Sequence, residues 1–194
     1  MTDGIIASRW RLGCTPTSGI LLIRHGPRSS PDIPSLSAML TDGGIIECQK
    51  LGRFLSKNPP LALLSSPVKR CIETGKNIVL GAGWNLTTKP AKMLGDPGPF
   101  VIGKRDKEKV DTLVRYAQEH SDWSFLHRHI AGEEIPGMQN RDAGTFRLVD
   151  ALYPTVAGYN LCISHDSIIA AVMAALKLNP DPWPDPLEGV HIQK

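Results

Sequence analysis

The chain has 194 residues, of which 41% are hydrophobic, and its formal net charge at pH 7 is +3. This length is enough for a core that needs no disulfide bonds, so 1–194 is expected to form a single domain. The mild charge, without a dense run of Lys and Arg, argues against nucleic-acid binding, and no stretch approaches the ~20 apolar residues of a membrane span. Because no signal peptide is apparent, we expect a cytoplasmic protein without a nucleic-acid or membrane partner.

The first predicted strand ends in an unusual basic sequence. Residues 1–18 carry no strong pattern and are expected to form an N-terminal arm. The apolar run 19–24 predicts a buried strand, which stops at Arg24-His25-Gly26-Pro27-Arg28 because Gly and Pro break regular structure. The Ser- and Pro-rich stretch 29–37 then predicts a loop beside this sequence.

The next elements alternate between helix and strand. Thr41 or Asp42 caps a predicted helix, and the short apolar run 61–64 predicts a second strand. That strand ends at 65–67 and is followed by a helix whose first turn carries Arg70. This alternation predicts a mainly parallel sheet.

The second half of the chain is predicted to carry an inserted cap at about 96–140. Beyond the cap, the apolar run 159–164 predicts a strand that ends at His165-Asp166, and an apolar helix follows it. The remaining predicted elements are a strand at 87–93, helices at 104–120 and 141–153, and a last strand at 189–192.

The cysteines do not point to a disulfide or a metal site. Cys14, Cys48, Cys71 and Cys162 form no CxxC pair, and their spacings match no zinc pattern. Reduced, mostly buried thiols are therefore expected. The cap also holds ligand-type side chains at 127, 129, 133 and 134, but their spacing is not diagnostic, and we expect a solvated surface there.

Two predicted strands end in histidine, at His25 and His165. In an open parallel sheet, ligands bind at the carboxyl ends of the strands, so both histidines are expected to face one crevice. Arg70 would reach the same crevice from a helix N-terminus, which favours anions. Arginine suits phosphate oxygens, and a neutral imidazole has a lone pair that can attack phosphorus. The sequence therefore predicts a phosphate site.

Four blocks, in this order along the chain, resemble the histidine phosphatase superfamily, which includes phosphoglycerate mutases and acid phosphatases. The blocks are Arg24-His25-Gly26; Leu40-Thr41 with Gly44, Gln49 and Leu51-Gly52; Ser65-Ser66-Pro67 with Arg70 and Glu73-Thr74; and Ser164-His165-Asp166. The resemblance spans residues 20 to 192. It implies a three-layer α/β/α sandwich around a mainly parallel sheet, with an inserted cap.

The resemblance also implies a role for each site residue. His25 would be the nucleophile and form a phosphohistidine, while Arg24, Arg28, Arg70 and His165 would bind the phosphoryl group. No metal or other cofactor is implied, because the arginines supply the positive charge. The implied activity is a phosphatase acting on a small phosphorylated metabolite. The alternatives are a phosphomutase of the phosphoglycerate mutase type and a catalytically silent phospho-ligand binding module. For the oligomeric state, the sequence leaves a monomer and a homodimer open.

Two carboxylates are candidates for protonating the leaving oxygen. Asp166 directly follows the second histidine, as in the acid-phosphatase branch of the family. Asp96 occupies about the place of the glutamate that serves as acid in the mutase-like branch. We favour Asp166, because a residue after a strand-end histidine must lie near the pocket, whereas Asp96 also suits a Pro-Gly turn. Asp96 remains the alternative general acid.

Overall fold

The computed structural model describes residues 4–29 and 37–194, so residues 1–3 and most of the predicted loop 29–37 lie outside the described residues. The strands are β1 (Ile6–Trp10), β2 (Gly19–Arg24), β3 (Ala62–Ser65), β4 (Thr88–Pro90), β5 (Tyr159–Ser164) and β6 (Gly189–Gln193). The helices are α1 (Asp42–Leu55), α2 (Lys69–Ala82), α3 (Lys104–His120), α4 (Ser124–Ala131), α5 (Arg141–Leu152) and α6 (Asp166–Ala175). A short 3₁₀ helix covers Lys92–Leu94.

The strands form one sheet in the order β1-β6-β2-β5-β3-β4. The run β2-β5-β3-β4 is parallel, while β6 lies antiparallel to both β2 and β1. Arg24 is paired with Ser164 across β2 and β5, and Ser65 is paired with Ile163 across β3 and β5. The carboxyl ends of these three strands therefore meet at one edge of the sheet.

Alternate side chains of β2 enter two separate cores. Ile20 and Leu22 pack on one face of the sheet with α5 and α6, and Leu21 and Ile23 pack on the other face with α1 and α2. This is the burial expected of a central parallel strand, which is covered by helices on both faces. The predicted three-layer α/β/α architecture is confirmed.

The N-terminus differs from the sequence expectation, because residues 6–10 of the predicted arm form β1. This strand pairs with β6, and Trp10 at its end is only 4% exposed and donates from Nε1 to the carbonyl of Cys14. The other side chains of β1 are partly or fully exposed, and Ile6 is 69% exposed. An edge strand of this kind carries a weak apolar pattern, which explains why the sequence gives no clear signal for it.

Within the described ranges, none of the helices has the length and apolar character needed to span a membrane.

Candidate active site

His25 lies directly after β2 and is only 3% exposed. Its backbone N–H donates to the carbonyl of Ser164 at 3.0 Å, which joins the ends of β2 and β5. Its ring nitrogen Nδ1 lies 2.8 Å from the carbonyl of Gly26. Because a carbonyl only accepts, Nδ1 must carry the proton, and the lone pair of the neutral ring is on Nε2.

Arg70 connects the two histidines. Its Nε–H donates to His25 Nε2 at 3.0 Å, which agrees with a lone pair at that nitrogen. Its Nη2 lies 3.3 Å from His165 Nδ1. Arg70 is the second residue of α2 and is only 7% exposed, so the strand-end turn at 65–67 delivers a largely buried cation to the site.

His165 follows β5, and its ring lies 5.6 Å from that of His25, centroid to centroid. Arg70 is a donor, so His165 Nδ1 accepts from it, and the N–H at Nε2 donates to Ser66 Oγ at 3.0 Å. Ser66 thus fixes the second imidazole, a role that the sequence reasoning missed. The signal was its place at the carboxyl end of β3, next to the two histidine-bearing strands.

Both histidines are held in the neutral form. Burial lowers the pKa of His25 to about 3; its hydrogen bond to the Gly26 carbonyl opposes this shift, while the charges of Arg70, Arg24 and Arg28 add to it. Burial likewise lowers the pKa of His165 to about 3, helped by His25 and Arg70 and opposed by Asp166. At neutral pH Nε2 of His25 therefore carries a lone pair rather than a proton, and this lone pair accepts from Arg70.

Arg24 is held by two contacts at the end of β2. Its Nη2 lies 2.8 Å from Asp166 Oδ2, and its Nη1 donates to the carbonyl of Pro184 at 3.0 Å. The other Asp166 oxygen, Oδ1, accepts from the backbone N–H of Ser167 at 2.8 Å. Asp166 is the first residue of α6, and both of its oxygens have partners within the protein.

Asp96 reaches the same site from the segment after the 3₁₀ helix. Ser164 Oγ donates to the carbonyl of Leu94 at 2.7 Å, which ties this segment to the end of β5. The next residue, Gly95, has φ +147°, and a Cβ there would lie 2.6 Å from both His165 Nε2 and Ser66 Oγ. Only glycine therefore allows this approach, and the next residue, Asp96, lines the same cavity as His165.

A cavity of about 240 Å³ opens beside His165 and Arg70, and the His25 ring that Arg70 contacts does not itself line it. Arg70, His165 and Asp96 line it near the sheet edge, whereas Asp166 does not line it. The predicted cap segment supplies most of the remaining wall. The basic side chains at the start of α3, at positions 104, 105, 107 and 109, are not part of this lining.

The predicted site residues thus meet at one edge of the sheet, and Arg28 is among them, since its charge lowers the pKa of both His25 and Arg70.

His127 and His129 do not share a face, because they lie on a helix. His129 donates from Nε2 to the carbonyl of Gln139 at 3.0 Å, while the His127 ring lies 4.9 Å from that of Trp183. In the part of the chain that the structure describes, no group of three or more His, Cys, Asp or Glu is placed to hold a metal ion.

Solved structures with the same fold include several enzymes of phosphate chemistry. A phosphoglycerate mutase from Bacillus anthracis str. Sterne superposes with a TM-score of 0.60 at 14% identity, over 100% of this chain and 90% of its own. A protein from Thermus thermophilus matches with a TM-score of 0.55 at 16% identity, over 86% and 88%. A mycobacterial glucosyl-3-phosphoglycerate phosphatase matches with a TM-score of 0.52 at 19% identity, over 82% and 79%. Identities this low indicate a shared fold.

Among curated protein sequences, none matches the chain significantly. The family model of the histidine phosphatase superfamily, branch 1, matches residues 20–186, a range that runs from β2 through the turn before β6. This range contains both strand-end histidines and the three arginines around them. The chain therefore belongs to the histidine phosphatase superfamily, branch 1.

Proposed function

We propose that the chain is a phosphatase that hydrolyses a small phosphorylated metabolite through a phosphohistidine at His25. The observation that carries the proposal is the state of this ring: Nδ1–H is held by the Gly26 carbonyl, and Nε2 points its lone pair at Arg70. A site that only binds a phosphate group has no need for a neutral nucleophile among cations.

The reaction begins when the phosphoryl group enters between Arg24, Arg28 and Arg70. Arg70 Nε then passes from His25 Nε2 to a phosphoryl oxygen, which frees the lone pair for in-line attack on phosphorus. The N–P bond forms as the bond from phosphorus to the leaving oxygen breaks, and the arginines stabilise the charge on the remaining oxygens. Water then attacks the phosphohistidine, and inorganic phosphate leaves.

We propose Asp96 as the donor of the proton that the leaving oxygen needs, and Asp166 as the residue that positions Arg24. Asp96 lines the cavity beside the phosphate end, where a leaving group has room, and Asp166 does not. Both oxygens of Asp166 are already engaged, one with Arg24 and one with Ser167. This assignment reverses the preference drawn from the sequence alone.

The experiment is to trap the covalent intermediate. Wild-type protein is mixed with p-nitrophenyl phosphate in the presence of EDTA, quenched rapidly in alkali, and analysed for acid-labile phosphate on His25. We expect this phosphate on His25 in the wild type and none in His25→Gln. The turnover of His25→Gln should be lower than that of the wild type by on the order of 10³-fold or more. His120→Gln is the control, because that side chain is exposed at the end of α3.

The products distinguish the alternatives. Release of inorganic phosphate supports a phosphatase, whereas transfer of the phosphoryl group to an added alcohol in place of water supports a mutase. A folded wild type that binds phosphate but is never phosphorylated on His25 would identify a binding module and overturn the proposal.

A further inference from the structure

The cavity beside His165 is mostly apolar, and its polar side chains are Arg70, Asp96, His129, His165 and Ser167. Arg70, His165 and Asp96 lie at the phosphate end. The opposite walls are apolar and come from the segment after the 3₁₀ helix, from α3 and from α4. They include Phe100, Val110, Val114, Trp123, Phe125 and Leu126. A leaving group attached to a bound phosphate would therefore extend from a cationic end into an apolar space.

These walls are built from packed residues. Phe100 is 4% exposed and belongs to the main core, and Phe125 is 8% exposed and packs with Ala117 and Ile135 in a smaller core beneath α3. Val110 and Val114 are one helical turn apart on α3, so they face the cavity together. The apolar lining is thus anchored on two cores, which gives it a defined shape.

The cavity offers little to a second charged group. Among the described residues that line it, Arg70 is the only Lys or Arg. Two basic side chains of α3 have partners on their own helix: Lys107 bonds Asp111 at 2.8 Å, and Lys109 pairs with Asp106. Among the described lining residues, a carboxylate or second phosphate on the substrate would meet no Lys or Arg other than Arg70, and most of the wall that faces a sugar would be hydrocarbon.

We propose, building on the phosphatase function above, that the substrate is the phosphate monoester of an apolar alcohol, with an aromatic or branched aliphatic group that lies between α3 and α4. An apolar protein cavity of about 150 Å³ already accepts benzene. The 240 Å³ found here accommodates an aromatic ring together with a short linker to the phosphate.

The first test compares primary phosphate esters, which have leaving groups of similar reactivity. We measure kcat/KM for 2-phenylethyl phosphate, glycerol 1-phosphate and glucose 6-phosphate. Because each buried methylene is worth about fourfold in affinity, we expect 2-phenylethyl phosphate to exceed both polar esters by about 100-fold. Equal values, or a preference for either polar ester, would overturn the inference.

A matched pair of variants locates the effect in the cavity. Val114→Lys places a charge on its wall, and we expect it to lower kcat/KM for 2-phenylethyl phosphate by at least about tenfold while changing that for glycerol 1-phosphate far less. Thr112→Lys introduces the same charge at an exposed position of α3 and should leave both values at the wild-type level. Equal losses for both esters in Val114→Lys would contradict an apolar subsite.

A binding measurement separates this inference from the proposed function. Calorimetry on the wild type compares 2-phenylethylphosphonate with methylphosphonate, neither of which can be hydrolysed. We expect tighter binding and a more negative heat-capacity change for the aromatic phosphonate, as apolar burial requires. If His25 is never phosphorylated but this difference appears, the proposed phosphatase function is wrong and the apolar subsite is supported. If the two phosphonates bind with the same affinity, the proposed apolar subsite is wrong.

Discussion

At the scale of single residues, the chemistry depends on which nitrogen of His25 carries a proton. The Gly26 carbonyl 2.8 Å from Nδ1 decides this, since it accepts only a donor. Arg70 occupies the lone pair at Nε2, and in the proposed reaction a phosphoryl oxygen takes its place. A main-chain carbonyl and one guanidinium are enough to define the atom proposed as the nucleophile.

The two carboxylates are predicted to respond differently to the same substitution. Asp96→Asn should lower kcat/KM for 2-phenylethyl phosphate by about 10²–10⁴-fold, the usual contribution of a proton donor. It should change p-nitrophenyl phosphate turnover far less, because that leaving group departs without a proton. Asp166→Asn should lower both rates alike, since it releases Arg24. The opposite pattern would make Asp166 the proton donor.

The two histidines of the site, His25 and His165, predict an acid-sensitive fold. Between pH 6.5 and about 3 the unfolded chain binds protons on His25 and His165 that the folded chain does not. The free energy of unfolding should therefore fall as the pH drops below 6.5, by up to about 1.4 kcal/mol per pH unit for each histidine. Urea unfolding at pH 7.5, 6 and 5 measures this slope.

His25→Gln removes one of these titrating groups, so its slope between pH 6.5 and 5 should be shallower than that of the wild type. An unchanged slope would mean that the buried ring is protonated in the folded chain. Above pH 7 both proteins should show the same dependence on pH.

At the scale of secondary-structure elements, α2 carries Arg70 and its position depends on how closely it approaches α1. A Cβ on Gly52 would lie 2.1 Å from the carbonyl oxygen of Ile78, and a Cβ on Gly81 would lie 2.1 Å from that of Gln49. Each helix thus uses a glycine to bring the other's backbone into contact. This reciprocal approach sets where the first turn of α2 meets His25.

Gly52→Ala should therefore separate the two helices. We expect a loss of about 1–3 kcal/mol in the free energy of unfolding, the range for overpacked cores, together with weaker phosphate binding as Arg70 shifts. Gly43→Ala is the control on the same helix, because its Cβ would have only Thr41 Oγ1 within 4 Å, at 3.9 Å. That variant should gain up to about 1 kcal/mol, and an equal loss in both variants would refute the packing argument.

The elements that the sequence predicted well are those with a continuous apolar run or a clear cap. β2 and β5 are buried along almost their whole length, and Thr41 caps α1 by accepting from the backbone N–H of Gly44. β1 was missed because the sheet buries little of it beyond Trp10. The sequence placed His165-Asp166 at the end of a strand, whereas α6 already begins at Asp166, because a strand-end histidine gives no clear signal of where a helix begins.

At the scale of the whole molecule, the rule that ligands bind at the carboxyl ends of parallel strands correctly placed His25 and His165 at one edge. That rule could not predict which side chains line the cavity. Phe100, Val114 and Trp123 come from separate segments, and their convergence depends on how the cap region packs against the sheet. Periodicity shows which face of a helix is apolar, but not what that face encloses.

The pairing of β2 with β5 has a consequence for how the chain folds. The two strands lie side by side although most of the sequence separates them, so their contact closes a very long loop. Such pairings carry a high entropic penalty and generally form slowly. A molecule in which β2 and β5 have not yet paired, however helical, holds His25 and His165 apart and therefore lacks the candidate site.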